Sequence, residues 1–272
     1  MVVNAFSVYR WTVVKVIVSS GGIANLPLRD RVALITGGSR GIGKGIAQGL
    51  AREGVRIAIS YRRSKNAAQT TLRNVQAFGV DCFAVEADAT DPEKVRFLID
   101  KVLERFGRID ILVNNVGEFN WKPVAETSVE EWQQVVSSNL FSVFYASKAV
   151  IAAMRRQHWG RIISLGAVGA ERGFGQGTIS AYAAAKAAVV SFSRSLAIEE
   201  AKHGITVNVV NPANIDEREL TVEEARRIKD ARSPAGRPPS AEDVSAAVKF
   251  FASDSADSIT GQVLNVTGGW MH

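Results

Sequence analysis

Cysteine is nearly absent: Cys82 is the only one in 272 residues. A lone thiol excludes an internal disulfide and fits a reducing compartment, so a cytoplasmic protein is expected. No apolar run reaches the roughly 20 residues a membrane-spanning helix needs, and no membrane association is expected. The first 29 residues contain no Asp or Glu. Within them the β-prone run Val8–Val18 is interrupted by Arg10 and Lys15, which excludes a secretory signal core. Residues 1–27 read either as a short amphipathic targeting or membrane-surface segment, or as a flexible appendage or an over-extended reading frame. The second pair is expected, because the domain reads as complete from Leu28 to residue 272. Low-complexity tracts and internal repeats are missing as well. The net charge of +6 and pI near 9.6 raise the question of nucleic acid. The basic residues are scattered, however, and no recognition helix or aromatic–basic ladder accompanies them, so neither nucleic acid nor a metal is expected.

What is present is a 46% hydrophobic chain in which short apolar runs alternate with longer amphipathic ones. That rhythm predicts stacked βαβ units. Strands are expected at Val32–Thr36, Arg56–Ser60, Cys82–Glu86, Ile109–Asn114, Arg161–Leu165, Ile205–Val210 and Val263–Val266. Helix starts are marked by Asp91-Pro92 and by capping-box spacing at Ser128…Glu131, Thr221…Glu224 and Ser240…Asp243. The prediction is one α/β Rossmann domain, a doubly wound seven-stranded parallel sheet with helices on both faces. Only residues 211–240, rich in charge and proline, resist the rhythm.

Thr36-Gly37-Gly38-Ser39-Arg40-Gly41-Ile42-Gly43 follows the first strand and opens a helix. Gly37 and Gly41 allow a tight turn close to a pyrophosphate, Gly43 lets helix and strand pack, and the helix N-terminus offers free N–H groups to phosphate. A Walker-type ATP loop is excluded, because Lys44 is not followed by Ser or Thr. The second strand ends at Ser60-Tyr61-Arg62-Arg63, where an NAD site usually carries an acid for the ribose 2′-hydroxyl. Arg40 and Arg62 instead suit a 2′-phosphate, with Arg63 sharing that role or facing solvent, so NADP(H) is favoured over NAD(H).

Tyr182 and Lys186 are spaced to share one helix face. A phenol titrates near pH ~10, and a nearby cation lowers that value and makes Tyr a usable general acid or base.

With the Gly-rich turn, Asn114-Asn115-Val116-Gly117 and Tyr182…Lys186, the chain over residues 28–270 resembles the short-chain dehydrogenase/reductase family, most of all its 3-oxoacyl-[acyl-carrier-protein] reductases. The resemblance implies that Tyr182 exchanges a proton with a carbonyl or alcohol. It implies that Lys186 lowers the Tyr182 pKa and binds the nicotinamide ribose, and that Asn139 holds a water linking Lys186 to solvent. Gly37, Ser39, Arg40, Gly41, Ile42, Gly43, Tyr61, Arg62 and Arg63 would then line the cofactor. Asp88 and Ala89 would flank the adenine, Asn114 and Gly117 the ribose, and the Ile215 backbone the carboxamide. Asn139 also suits a helix-bridging role, and Asp88 a turn before Asp91. Relatives are commonly tetramers built through the long helices and the last strand, so a homo-oligomer, a tetramer, is implied. The helix around Phe141–Ala153 and the Phe250-Phe251 region are apolar enough for this, and core burial explains them as well.

Departures from the family pattern concentrate at the reaction end. Ala167 stands where the family holds a serine that hydrogen-bonds the reacting carbonyl, and losing such a donor typically costs ~10²–10³ in rate. Ser164 lies three residues earlier, in the strand. The loop from Ala167 to Tyr182 is about two residues longer than in those reductases, and Thr178 or Ser180 is a candidate replacement hydroxyl. Ala213 replaces a glycine after Pro212, Glu217 a threonine, and Asn214 and Asp216 make this loop unusually polar. His158 and His203 align with arginines that dock the acyl carrier protein, and neutral histidines weaken such docking. The expected activity is NADP-dependent interconversion of a ketone and a secondary alcohol, with a 3-oxoacyl thioester or another small carbonyl compound as substrate. The alternatives are an enoyl-thioester reductase of the same family or an NADP-binding protein with little turnover.

Overall fold

The computed structural model describes residues 28–215 and 218–270, so residues 1–27, Asp216, Glu217, Met271 and His272 lie outside the described residues. Seven strands form one sheet: β1 (Val32–Ile35), β2 (Arg56–Tyr61), β3 (Cys82–Glu86), β4 (Ile111–Asn114), β5 (Gly160–Leu165), β6 (Ile205–Pro212) and β7 (Val263–Val266). Their order is β3-β2-β1-β4-β5-β6-β7 and every pairing is parallel. The helices are α1 (Gly41–Arg52), α2 (Lys65–Gln76), α3 (Pro92–Phe106), α4 (Val129–Val136), α5 (Ser142–Gln157), α6 (Ser180–Glu200), α7 (Val222–Arg226) and α8 (Ala241–Ala252).

Successive strand residues point to opposite faces, and both faces are buried. Ile35, Ile57, Ile59, Val113 and Ile163 pack with Ile46 and Leu50 of α1 and Val248 and Phe251 of α8. Their neighbours Leu34, Ala58, Leu112 and Ile162 turn the other way, onto Val95 and Leu98 of α3, Val150 and Met154 of α5 and Leu196 of α6. The helix starts form as their sequences predict: Asp91 accepts from the Glu93 and Lys94 N–H groups, and Ser128, Thr221 and Ser240 each close a capping box. The stretch Val129–Gln157 is long and apolar enough to cross a membrane, yet 44% of its apolar window is buried inside this fold.

The ends of β1 and β2 and the start of β5 lie one residue from expectation, and two further boundaries lie two residues away for identifiable reasons. β6 runs on to Pro212, because Asn211 and Pro212 pair with Asn265 and Val266 of β7 after β5 has ended. With no partner on its other side, the missing proline N–H costs nothing. β4 begins only at Ile111, because the Asp110 carboxylate takes the Val32 N–H at 2.8 Å in place of a backbone acceptor. That carboxylate is fully buried and also receives Arg108 Nε at 2.8 Å and Arg108 Nη2 at 2.6 Å. Asp110→Asn leaves donors facing donors, and should lower the urea-unfolding free energy by on the order of 2 kcal/mol.

Candidate active site and cofactor cleft

The sheet reverses its winding at β1, which lies between β2 and β4. In such sheets ligands bind at the strand C-termini, beside this reversal. Gly37 and Gly41 adopt left-handed φ values of 63° and 55°, which makes the turn after β1 tight. A Cβ on Gly43 would stand 2.6 Å from the Gly37 carbonyl, so only glycine lets α1 begin this close to the turn. Asn115 stitches the turn to β4: its Nδ2 donates to the Thr36 and Gly37 carbonyls, each at 3.0 Å. Ser60 accepts the Gly37 N–H at 3.2 Å, Ser39 is buried with its carbonyl on Thr71, and Ile42 packs on the core.

The α1 N-terminus already holds an anion. Glu219, with a left-handed φ of 54°, places Oε1 2.6 Å from the Gly41 N–H and Oε2 2.6 Å from Lys44 Nζ. Partial burial works against this carboxylate, but Lys44 and the Gly41 N–H together hold it below the usual range. Chemically the carboxylate stands in for a phosphate, so the residues present fit a nucleotide cofactor.

At the β2 end, Tyr61 accepts the Ala87 N–H, Ala89 is buried, and Arg40 and Arg63 are exposed. Arg62 does not stand free: it pairs with Glu118 at 2.7 Å and approaches Asp88 at 3.8 Å. Asp88 also serves the turn, accepting from Thr90 N and Oγ1 at 3.0 and 2.7 Å and, through its carbonyl, from Asp91 N.

Tyr182 and Lys186 lie on the first half of α6, and the two approach as their spacing predicts, with Lys186 Nζ 5.6 Å from the ring centre. Lys186 is 4% exposed and donates to the Leu165 carbonyl at 2.6 Å. Burial is the main influence on both groups. It pushes Tyr182 up to about 12 and Lys186 down to about 8, so the lowered phenol pKa expected from the spacing does not arise from these two side chains. Asn139 is fully buried in a π-helical turn, Ser137–Phe141, that joins α4 to α5. Its Nδ2 donates to the Glu118 and Val135 carbonyls at 2.7 and 2.9 Å, which ties the helix to the loop after β4 rather than to a second helix, and its Oδ1 has no protein partner. A Cβ on Gly117 would collide with that Oδ1 and stand 3.5 Å from Lys186 Nζ. Gly117 therefore leaves open the space that the Asn139 oxygen and the lysine both face.

Other expected residues fall around this centre. Asn114 directs Nδ2 to Ser147 and Ser164, each at 3.2 Å, which commits Ser164 to the strand interior. Ala167 is buried just past β5, Ile215 packs against the core, and the Thr178 hydroxyl is turned to the Gly177 carbonyl. His158 and His203 sit at the N-terminal ends of β5 and β6, at the opposite edge of the sheet from Tyr182.

Four contributors were not foreseen. Phe119 packs edge-on against the Tyr182 ring at 4.7 Å, and Trp121 against Phe119 at 4.8 Å. Both aromatics are exposed, and two large rings in a polar segment after Gly117 were the available signal. Glu118 and Glu219 carried none, since isolated acids read as solvated surface.

This geometry is that of a nicotinamide-dependent oxidoreductase, and the chain belongs to the short-chain dehydrogenase/reductase family. A family model described as enoyl-(acyl carrier protein) reductase matches residues 37–271. The 3-oxoacyl-[acyl-carrier-protein] reductase FabG of Escherichia coli is 42% identical over 242 residues, covering 88% of this chain and 96% of the relative. "Putative oxidoreductase YtkK" of Bacillus subtilis is 38% identical over 248 residues, covering 88% and 96%. A solved Bacillus thuringiensis structure, described as a "putative 3-oxoacyl-reductase", superposes with a TM-score of 0.80 at 33% identity, covering 88% of this chain and 97% of that one.

The Lys186 shift has a testable sign. Between about 8 and 10.5 the folded protein has shed this proton while the unfolded chain keeps it, so stability rises with pH across that window. Urea midpoints measured through the window should rise in the native protein relative to Lys186→Met, which lacks the titrating amine.

Proposed function

We propose that the protein transfers hydride between NADP(H) and a ketone/secondary-alcohol pair, with a 3-oxoacyl thioester as the favoured substrate class. The observation that carries this reading is the convergence of Tyr182, the buried Lys186 and the unpartnered Asn139 oxygen beside Gly117. Gly37, Ser39, Gly41, Ile42 and Gly43 hold the pyrophosphate, Arg40, Tyr61, Arg62 and Arg63 the 2′-phosphate side, and Asp88 and Ala89 the adenine. Asn114, Gly117, Lys186 and Ile215 hold the nicotinamide half, which supplies or accepts the hydride.

Tyr182, with its pKa at about 12, is protonated at neutral pH and serves as the acid in carbonyl reduction. It gives its proton to the carbonyl oxygen, and Lys186 with a water on Asn139 Oδ1 resupplies it. Lys186 keeps its charge below about 8, so the reduction rate is expected to fall above that pH. With Ala167 in place of a serine, Tyr182 is the principal donor to the oxygen. The similarity to acyl-carrier-protein reductases supports the thioester, and His158 and His203, on the far edge of the sheet, give no added support for carrier docking. Phe141, Phe144 and Phe250 are exposed, which supports a homo-oligomer.

The weakened carbonyl site keeps a second reading in view, a protein that binds NADP(H) with little turnover. NADPH fluorescence titration followed by a panel of acyl-thioester, sugar and small-ketone substrates separates the two. Binding without consumption at high enzyme concentration would sink the enzyme reading. Tyr182→Phe should lower turnover by ~10²-fold or more while NADPH still binds. Ala167→Ser should preserve or raise carbonyl turnover, and a strong fall would show that another group occupies that space.

A further inference from the structure

The Arg62–Glu118 pair spans the cleft. Arg62 follows β2 and Glu118 follows β4, with β1 and its Gly-rich turn between them. Glu118 is held at every polar atom. Its N–H donates to Ser138 Oγ at 3.2 Å, and its carbonyl receives Asn139 Nδ2 at 2.7 Å. One carboxylate oxygen receives Arg62 at 2.7 Å and the other Gln134 Nε2 at 3.0 Å. The Glu118 main chain is tied to the π-helical turn that carries Asn139, and its carboxylate engages the Arg62 guanidinium from the β4 side of the cleft.

From this geometry we infer that Glu118 sets cofactor selectivity by acting on Arg62. Its carboxylate competes with the 2′-phosphate for the guanidinium. The protein then discriminates between NADP(H) and NAD(H) less sharply than its β2-end arginines imply. NADH carries a ribose hydroxyl at that position, which needs no arginine. The inference rests on the reading of Arg62 as a 2′-phosphate ligand. Glu118 is a positioning residue, since it reaches the cofactor only through Arg62.

Equilibrium titration with NADPH and with NADH, read by nicotinamide fluorescence, tests this in native protein, Glu118→Gln, Arg62→Ala and the double variant. Glu118→Gln should tighten NADPH by about two- to fivefold and leave NADH unchanged, a split that a general structural effect would not produce. In the Arg62→Ala background the same substitution should leave the NADPH/NADH ratio unmoved. Equal movement of both cofactors, or of neither, overturns the inference. If Arg62→Ala selectively weakens NADPH but Glu118→Gln does not tighten it, only the role of Glu118 falls. If Arg62→Ala leaves the ratio unchanged, the 2′-phosphate assignment falls and the Glu118 role with it. Should Glu118→Gln fold poorly by thermal unfolding, Glu118→Ala is read against the same outcomes.

Discussion

Burial of the sheet on both faces is the constraint from which the rest follows. Leu34 and Ile35, Leu112 and Val113, and Ile162 and Ile163 are adjacent pairs whose members enter opposite cores. With both faces sealed, polar chemistry is left to the strand ends, and the two ends take different roles. The N-terminal edge is closed by structural charge, with Asp110 buried under Arg108 and the Val32 N–H. The C-terminal edge keeps its polar groups turned toward the cleft, including the Gly-rich turn, Asn115, Asn139 and Lys186.

At that edge, close approach is regulated by the absence of side chains. Gly43 lets α1 begin against the Gly37 carbonyl, and Gly117 leaves room before Asn139 and Lys186. A Cβ at Gly43 would meet the Gly37 carbonyl and one at Gly117 the Asn139 Oδ1. The π-helical turn then rotates Asn139 so that its amide nitrogen bonds two carbonyls while its oxygen remains for a ligand or water. One local irregularity ties the α4–α5 junction to the loop after β4 through the Asn139 amide nitrogen and leaves its oxygen without a protein partner.

Electrostatics add a second layer. The positive features that the nucleotide motif advertises, the α1 N-terminus and Arg62, are both met by carboxylates of the same chain, Glu219 and Glu118. Desolvation works in the same region, displacing Tyr182 and Lys186 in opposite directions. The cleft is therefore more tightly charge-balanced than its basic motif and the net charge of +6 imply.

The sequence by itself determined the strands, the parallel winding, the glycine turn and the helix starts, because these rest on periodicity, capping chemistry and local dihedrals. It also determined that Tyr182 and Lys186 share a face, since helical spacing dictates it. Tertiary structure decided what local pattern cannot carry. Asp110 sets where β4 begins, Glu118 and Glu219 answer cations 56 and 175 positions away, and Phe119 comes to rest on Tyr182. It also decided the balance at Tyr182 and Lys186, where spacing predicts a phenol eased by its lysine and burial raises it instead. Burial is a property of the assembled core, and no window of sequence contains it.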